Sequence, residues 1–383
     1  MASDIIVIGG GIIGAGVARE LARAGARVTV LAREEPEKSA SWAALGLLVP
    51  TMIAGPAGPA WVGLTQASLA RYPRWVAEIE VASGMSVGLQ PVGFMEVALR
   101  EGTTELEAEL ALQRRGGIQI EPISTAEARR RAPLLSPDVS GALYYPNALA
   151  VDNRRLSRAA VLAAEAAGAR FEWGVEVRGY LADSGGAVAG VRTTEREVRG
   201  DAVVNAAGAW ATTFDPARHG QVRPVRGQAI RLQPRHGAAA DTKVFPPTVI
   251  SWRHNYLIPR DGFILAGATI EDAGYDGSAT AAGVYELIGK TLRMAPALAR
   301  ARVVESWAGL RPGTDDGLPL LGADPQRPGL FYATGHFRNG ILLAPITAAV
   351  IAGLVQGQVP SLDLDTFSPG RFYSLAIGDV SQG

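Results

Sequence analysis

The 383-residue chain contains no cysteine. Disulfides, thiolate catalysis and cysteine-based zinc sites are therefore excluded. Net charge is missing too: 37 Lys+Arg balance 37 Asp+Glu. With no basic stripe either, nucleic acid is not expected as a partner. The histidines are few (His219, His236, His254 and His336) and show no metal-ligand spacing, so no metal is expected. No stretch reaches the roughly 20 apolar residues of a membrane span. The N-terminal apolar run has no basic region before it and is interrupted by glycine, unlike a signal peptide. The expectation is a soluble, cytoplasmic globular protein, long enough for two domains or one large one.

What the chain has instead is glycine, 46 residues of it, beside 24 prolines. The first cluster is diagnostic. Asp4–Ile8 is a nearly continuous apolar run, as in a strand buried on both faces of a parallel sheet. Gly9-Gly10-Gly11-Ile12-Ile13-Gly14 follows at once, Ala15–Ala24 reads as a helix ended by Gly25, and Arg27–Leu31 is a second strand. The order strand, GxGxxG, helix, strand fits dinucleotide binding, with Gly9, Gly11, Ile12, Ile13 and Gly14 around a pyrophosphate. The acidic residue that normally ends the second strand and holds the ribose is absent. Ala32 stands there, followed by Arg33, Glu34 and Glu35. Either a neighbouring Glu replaces it, or backbone and water hold the ribose, and Arg33 is a candidate cofactor contact.

A second glycine-rich turn lies near the other end. Phe331–Val350 reads as a strand (Leu330–Ala333), a turn at Gly335, a polar loop His336-Phe337-Arg338-Asn339-Gly340, and an apolar helix with Pro345 near its first turn. A helix N-terminus offers free N–H groups and positive potential. In a flavoprotein it would face the N1–C2=O edge of the flavin, which becomes anionic on reduction.

Between them, Ser39–Pro50 is small, apolar and uncharged, like a segment threaded under a flat ligand. Phe171–Val177 and Val188–Thr193 read as strands. Asp201–Trp210 reads as a buried strand followed by small residues, bringing Ala206–Gly208, hence Ala207 and Gly208, towards the dinucleotide. Asn255–Arg260 and Gly262–Gly267 form a hairpin, and Val303–Leu310 is a strand delivering Arg311 and Pro312 into a loop. Arg311 is bracketed by Leu310 and Pro312, unusual company for a surface arginine, and its guanidinium suits a carboxylate. Tyr256 and Arg338 are candidate companions, and strand period puts His254 on the face of Tyr256 as a wall. No nucleophile–base–orienter set is present, and none is needed where a cofactor carries the chemistry.

These segments carry a resemblance. GGGIIGAGVARELARAG, the ASWAA-x-G segment, HNYLIPRDG-x-ILAGAT-x-E (His254–Glu271), WAGLRPGT-x-DG-x-P (Trp307–Pro319) and GHFRNGILLAP (Gly335–Pro345) together resemble the glycine oxidases, in the D-amino-acid oxidase superfamily of FAD enzymes. The likeness runs essentially end to end. It implies non-covalent FAD, and oxidation of glycine, sarcosine or small D-amino acids to imines, with oxygen yielding hydrogen peroxide. It also implies a role in thiamine biosynthesis and a homotetramer. Arg311 and Tyr256 would hold the substrate carboxylate. Ser41, Leu45, Gly46, Leu47 and the run His336, Phe337, Arg338, Asn339, Gly340, Ile341 and Leu342 would lie along the flavin, and Val175 would touch the adenosine half. Leu45 and Leu47 stand where the family usually has Ala and Met, which leaves pocket size and substrate open.

The expected fold is α/β plus α+β: a Rossmann-like FAD-binding domain from 1–85, 144–214 and 313–369, and an antiparallel-sheet substrate domain from 86–143 and 215–312, with a mobile tail at 370–383. Three alternatives stay open: a dehydrogenase of the same fold using a quinone or carrier, an enzyme of secondary amines or cyclic imino acids, and a non-catalytic flavoprotein.

Overall fold

A computed structural model of the chain describes residues 3–55, 57–100, 102–234 and 248–373. The last ten residues of the expected tail lie outside the described residues.

Two large sheets organise the molecule. The first has six strands in the spatial order Leu320–Ala323, Leu330–Thr334, Ala202–Asn205, Asp4–Ile8, Arg27–Ala32 and Arg170–Trp173. All neighbours are parallel except the Leu320–Ala323 edge strand. Both faces of Asp4–Ile8 are covered, which is why that strand reads as unbroken apolar sequence. Ile5 and Val7 join a core built with helices Ile12–Arg23, Gly58–Ser83, Asn153–Ala166 and Gly340–Val355. Ile6 and Ile8 face a small antiparallel sheet of Val177–Ala182, Val188–Thr193 and Glu197–Arg199.

The second sheet has eight strands in the order Arg302–Gly313, Arg223–Gln233, Phe263–Gly267, Asn255–Arg260, Thr248–Trp252, Gly93–Leu99, Val139–Tyr145 and Glu121–Ile123. It is antiparallel except where Thr248–Trp252 runs parallel to Gly93–Leu99. One face packs on helix Ala281–Met294. The other carries Phe94, Ile258 and Leu265, and faces Leu45 and Leu47. The α/β plus α+β expectation holds.

Several local expectations shift. The first helix begins at Ile12 rather than Ala15. The strand expected over Phe171–Val177 breaks at Gly174, whose φ of 77° turns the chain out of the six-stranded sheet. Arg311 and Pro312 lie on the Arg302–Gly313 strand, not in a loop after it. Pro345 sits in the second turn of helix Gly340–Val355. There its missing N–H leaves the Ile341 carbonyl unpaired within the helix, and the buried Tyr72 hydroxyl donates to that carbonyl instead. Ser68 donates to the next carbonyl, Leu342, at 2.6 Å. Helix Gly58–Ser83 thus anchors the start of Gly340–Val355.

Candidate active site

A cavity of about 900 Å³ runs between the two sheets and ends on the glycine-rich turns at either side. At the first turn, Gly9 has φ 107°, and a Cβ there would lie 2.3 Å from the Ala206 carbonyl oxygen. Only glycine fits so close a crossing. Gly9, Gly11, Ile12, Ile13, Ala207 and Gly208 border the cavity. Gly14 does not: its absent Cβ lets the helix press on Gly9, whose carbonyl oxygen would be 1.9 Å away. Gly14 is therefore a packing residue rather than a contact residue. Ser41 borders the cavity, and its Oγ accepts from the Ile12 N–H at 3.1 Å, so it caps the first helix as well.

Ala32 has a local reason. A Cβ on Gly10 would meet the Trp173 ring at 2.5 Å and the Ala32 methyl at 3.1 Å. Small residues at 10 and 32 make the seat for that indole. Beyond Ala32, Arg33 lies over the Trp210 ring at 4.2 Å and lines the cavity with Glu34, Glu35 and Val175. The Val175 N–H is already used, donating to Ala32 O at 3.1 Å.

The middle wall is the Ser39–Pro50 segment, folded as a short helix Ala40–Ala43 capped by Ser39 and a short strand Leu47–Leu48. Leu45, Gly46 and Leu47 line the cavity. Gly46 has φ 75°, and a Cβ there would strike the Val151 carbonyl oxygen at 2.0 Å. Arg260 holds this wall: Nη2 donates to Leu45 O at 2.6 Å and Val151 O at 2.8 Å, and Nη1 to Asn153 Oδ1 at 3.1 Å. Asn153 in turn donates to Ser41 O and Trp42 O. Arg260 falls within the His254–Glu271 motif, but neither its role nor that of Asn153 is legible locally, because their contacts lie more than a hundred residues away in sequence.

The far end is built on strand Arg302–Gly313. Period two puts Trp307, Gly309 and Arg311 on one face. Trp307 donates to Ala43 O at 2.9 Å, and Gly309 leaves room for the Ala43 methyl. Arg311 projects into the cavity, its Nη1 donating to Thr269 O at 3.0 Å and Arg226 O at 3.4 Å. Burial, and then Arg338, push its pKa down to about 10, so it stays charged near neutrality. Among the described residues it forms no ion pair. Arg338 donates to the Tyr256 hydroxyl, and burial raises that phenol's pKa, so Tyr256 remains a neutral hydroxyl. The Phe337 N–H donates to Pro312 O at 2.8 Å, which ties the His336–Gly340 loop to the strand carrying Arg311. The three side chains Arg311, Tyr256 and Arg338 thus share one end of the cavity.

Two placements differ from expectation, those of His254 and Leu342. His254 is not on the strand with Tyr256. It and Arg253 form the exposed turn before Asn255–Arg260, at φ 63° and 47°, where non-glycine residues are rare. His254 still borders the cavity, and burial, Arg338 and Lys290 lower its pKa. His336 also borders the cavity, but its ring is buried against Thr347 at 3.0 Å, and burial drops its pKa to about 3. It is a neutral brace. Leu342 is buried outside the cavity lining and acts through its carbonyl bond to Ser68. Phe337, Asn339, Gly340 and Ile341 remain at the cavity, and Asn339 provides no side-chain cap, leaving the first N–H groups of Gly340–Val355 open.

Sequence reasoning also missed Gly227 and Glu96. Gly227 lies on strand Arg223–Gln233, paired with Gly309. A Cβ there would sit 2.1 Å from Nη2 of Arg311. Because the guanidinium is a mobile side-chain end, Gly227→Ala is expected to fold but to push Arg311 off Thr269. Substrate KM should rise, and Arg311→Ala should add little on top of it, since both changes act through one group. Full additivity of the two in a steady-state double-mutant cycle would contradict this. Glu96, on strand Gly93–Leu99, borders the same cavity end.

The site suits FAD: a glycine cradle at the first helix and the open start of Gly340–Val355 face a cavity that apolar and small residues line between them. Among the described residues no carboxylate–histidine group could hold a metal.

Residues 4–354 match the DAO family, described as FAD dependent oxidoreductase. Glycine oxidase of Pseudomonas aeruginosa is 35% identical over 96% of this chain and 99% of its own length. The crystal structure of glycine oxidase from Geobacillus kaustophilus superposes with a TM-score of 0.86 at 32% identity, covering 96% of this chain and 98% of that one. The bifunctional protein ThiO/ThiG of Nostoc sp. is 36% identical over 94% of this chain, which spans 53% of that relative's length. The chain is thus about half as long as the bifunctional relatives it matches.

Proposed function

The chain belongs to the DAO family of FAD-dependent oxidoreductases, and on that premise we propose that it oxidises a small amino acid to the imine, with oxygen as acceptor and hydrogen peroxide as product. The observation that carries this reading is the buried, carboxylate-free Arg311 beside Tyr256 and Arg338 at the end of the cavity. A free amino-acid carboxylate would pair with that cation, taking the fork of Arg311 and the Tyr256 hydroxyl.

Bound FAD would supply the redox chemistry, as a two-electron acceptor for the substrate Cα–H that oxygen could reoxidise. The residues that would hold it are Gly9, Gly11 and Ile12 at the pyrophosphate, Leu45–Leu47 and the 336–341 loop along the ring. The protein's own work is then orientation and electrostatics. Arg311 and Tyr256 fix the carboxylate and hence the position of Cα. The two guanidiniums of Arg311 and Arg338 disfavour a third positive charge nearby, so the amine is bound in its neutral form, from which hydride departs readily. The open N–H groups at the start of Gly340–Val355 favour negative charge on whatever faces them.

The test is the visible spectrum of the purified flavoprotein under nitrogen, with glycine, sarcosine and D-proline added separately, followed by air. Bleaching by one of them, with recovery and peroxide in air, is the expected result. Bleaching without recovery would replace oxygen by another acceptor. A flavin band that no amine bleaches would overturn the assignment.

A further inference from the structure

Along strand Gly93–Leu99, Phe94, Glu96, Val97 and Ala98 border the cavity, and of these Val97 also belongs, with Met95 and Leu99, to the core on the other face. Period two therefore turns the Glu96 carboxylate into the cavity. It is enclosed by protein, close to the Ser251 hydroxyl and the Arg253 backbone N–H. Burial, with the Glu109 carboxylate adding to it, raises its pKa to about 7 despite the opposing pull of Arg338. A carboxylate satisfied by its own ion pair would move the other way. Glu109 reaches the same space from helix Thr103–Arg115, accepting from Tyr145 Oη at 3.1 Å and Gln113 Nε2 at 3.0 Å. The exposed Arg253 side chain lies over Trp252, 5.3 Å from the ring centre.

The sheet gives the order along the cavity. Strand Asn255–Arg260, which carries Tyr256, lies between strand Arg302–Gly313, which carries Arg311, and strand Gly93–Leu99, which carries Glu96. Glu96 thus lies beyond Tyr256 and its partner Arg338 as seen from Arg311. A substrate held by its carboxylate at Arg311 points its remaining atoms along a cavity that carries, past Tyr256 and Arg338, a buried carboxyl without an ion-pair partner among the described residues. The ionised form of such a group is unfavourable when unmatched, and a ligand cation beside it favours that form.

We propose that Glu96, supported by Glu109, binds a second, cationic group on the substrate, so that this protein prefers amino acids whose side chain ends in an amine or guanidine over neutral or acidic ones. The inference rests on the amino-acid oxidation reading above and moves its preferred substrate from a small amino acid to a longer, basic one.

Two measurements on the FAD-loaded protein test it. The first compares kcat/KM for D-ornithine and D-lysine with D-norvaline and D-norleucine. The second titrates 5-aminopentanoate against pentanoate, which lack the α-amine and are not oxidised, by their perturbation of the flavin spectrum. The basic member of each pair should win by roughly tenfold or more, the scale of one charge-assisted contact. In Glu96→Gln both ratios should fall to about one, with Glu109→Gln giving a smaller loss. A wild-type ratio at or below one overturns the proposal whatever the variants do, and so does a ratio that survives Glu96→Gln. If glycine bleaches the flavin while the basic preference is missing, only this inference falls. If no amino acid bleaches it, the oxidase reading falls and this inference with it.

Discussion

Replacing Arg311 with alanine should raise the substrate KM by about 30-fold to several thousandfold, the equivalent of about 2–5 kcal/mol for truncating one partner of a buried charge-assisted contact. The unusual part is the expected behaviour of the free protein. Arg311 is buried beside a like charge, Arg338, and among the described residues it makes bonds only to two backbone carbonyls. Removing it relieves an unfavourable charge as well as losing two hydrogen bonds. The thermal midpoint should therefore hold or rise while turnover collapses, the pattern of a residue kept for function rather than for stability. Arg311→Lys keeps the charge but not the planar fork, and should recover only part of the loss. Tyr256→Phe should raise KM by less, since a single neutral hydroxyl contact contributes about 1 kcal/mol. Steady-state kinetics beside a thermal melt separates these effects. An unchanged KM in Arg311→Ala would remove the carboxylate assignment, and a large drop in melting temperature would recast Arg311 as a structural residue.

What the sequence made legible follows a physical line. The Gly9–Gly14 turn could be read because its requirements are local: positive φ at Gly9, and backbone close to backbone at Gly9 and Gly14. Arg311 stood out because apolar neighbours argue against a surface position. The residues that escaped act across the chain. Gly227 matters only because Arg311, 84 positions later, lies over it. Arg260 matters because it holds Leu45 and Val151, and Glu96 looks like any polar residue in an alternating strand. His254 was misplaced because a strand period was carried into a two-residue turn. The next turn, Asp261–Gly262, has the composition that left-handed turns prefer, whereas Arg253–His254 adopts the same left-handed conformation without any such signature. Pro345 was placed a turn too early for a related reason: a mid-helix proline is tolerated here only because Tyr72, from a distant helix, takes up the carbonyl it orphans.

Gly14→Ala should give a protein purified largely without flavin. The new methyl would lie 1.9 Å from the Gly9 carbonyl oxygen and 3.0 Å from its carbon. Gly9 cannot retreat, since its own missing Cβ already permits a crossing with Ala206 O that would otherwise be 2.3 Å. Overpacking usually costs about 1–3 kcal/mol when side chains can yield. Here both partners are backbone, so the effect should reach or pass the top of that range. The relief open to the chain is to lift the start of the first helix, and this withdraws that helix end from the pyrophosphate position. A loss of at least about 3 kcal/mol in FAD affinity, roughly a hundredfold or more in Kd, is expected. Gly16→Ala on the same helix is the control. Its methyl would meet the Ala348 methyl at 3.2 Å, which a helix shift of a few tenths of an ångström relieves, and Trp75 at 3.6 Å, an ordinary contact, while alanine gains about 1 kcal/mol in helix propensity. The two terms nearly cancel. Because losing a bound cofactor lowers the melting temperature by mass action alone, the comparison is made on stripped apoproteins as well as on loaded ones. If apo Gly14→Ala melts with apo wild type and still binds FAD normally, the helix is not held by that contact, and the packing role assigned to Gly14 is wrong.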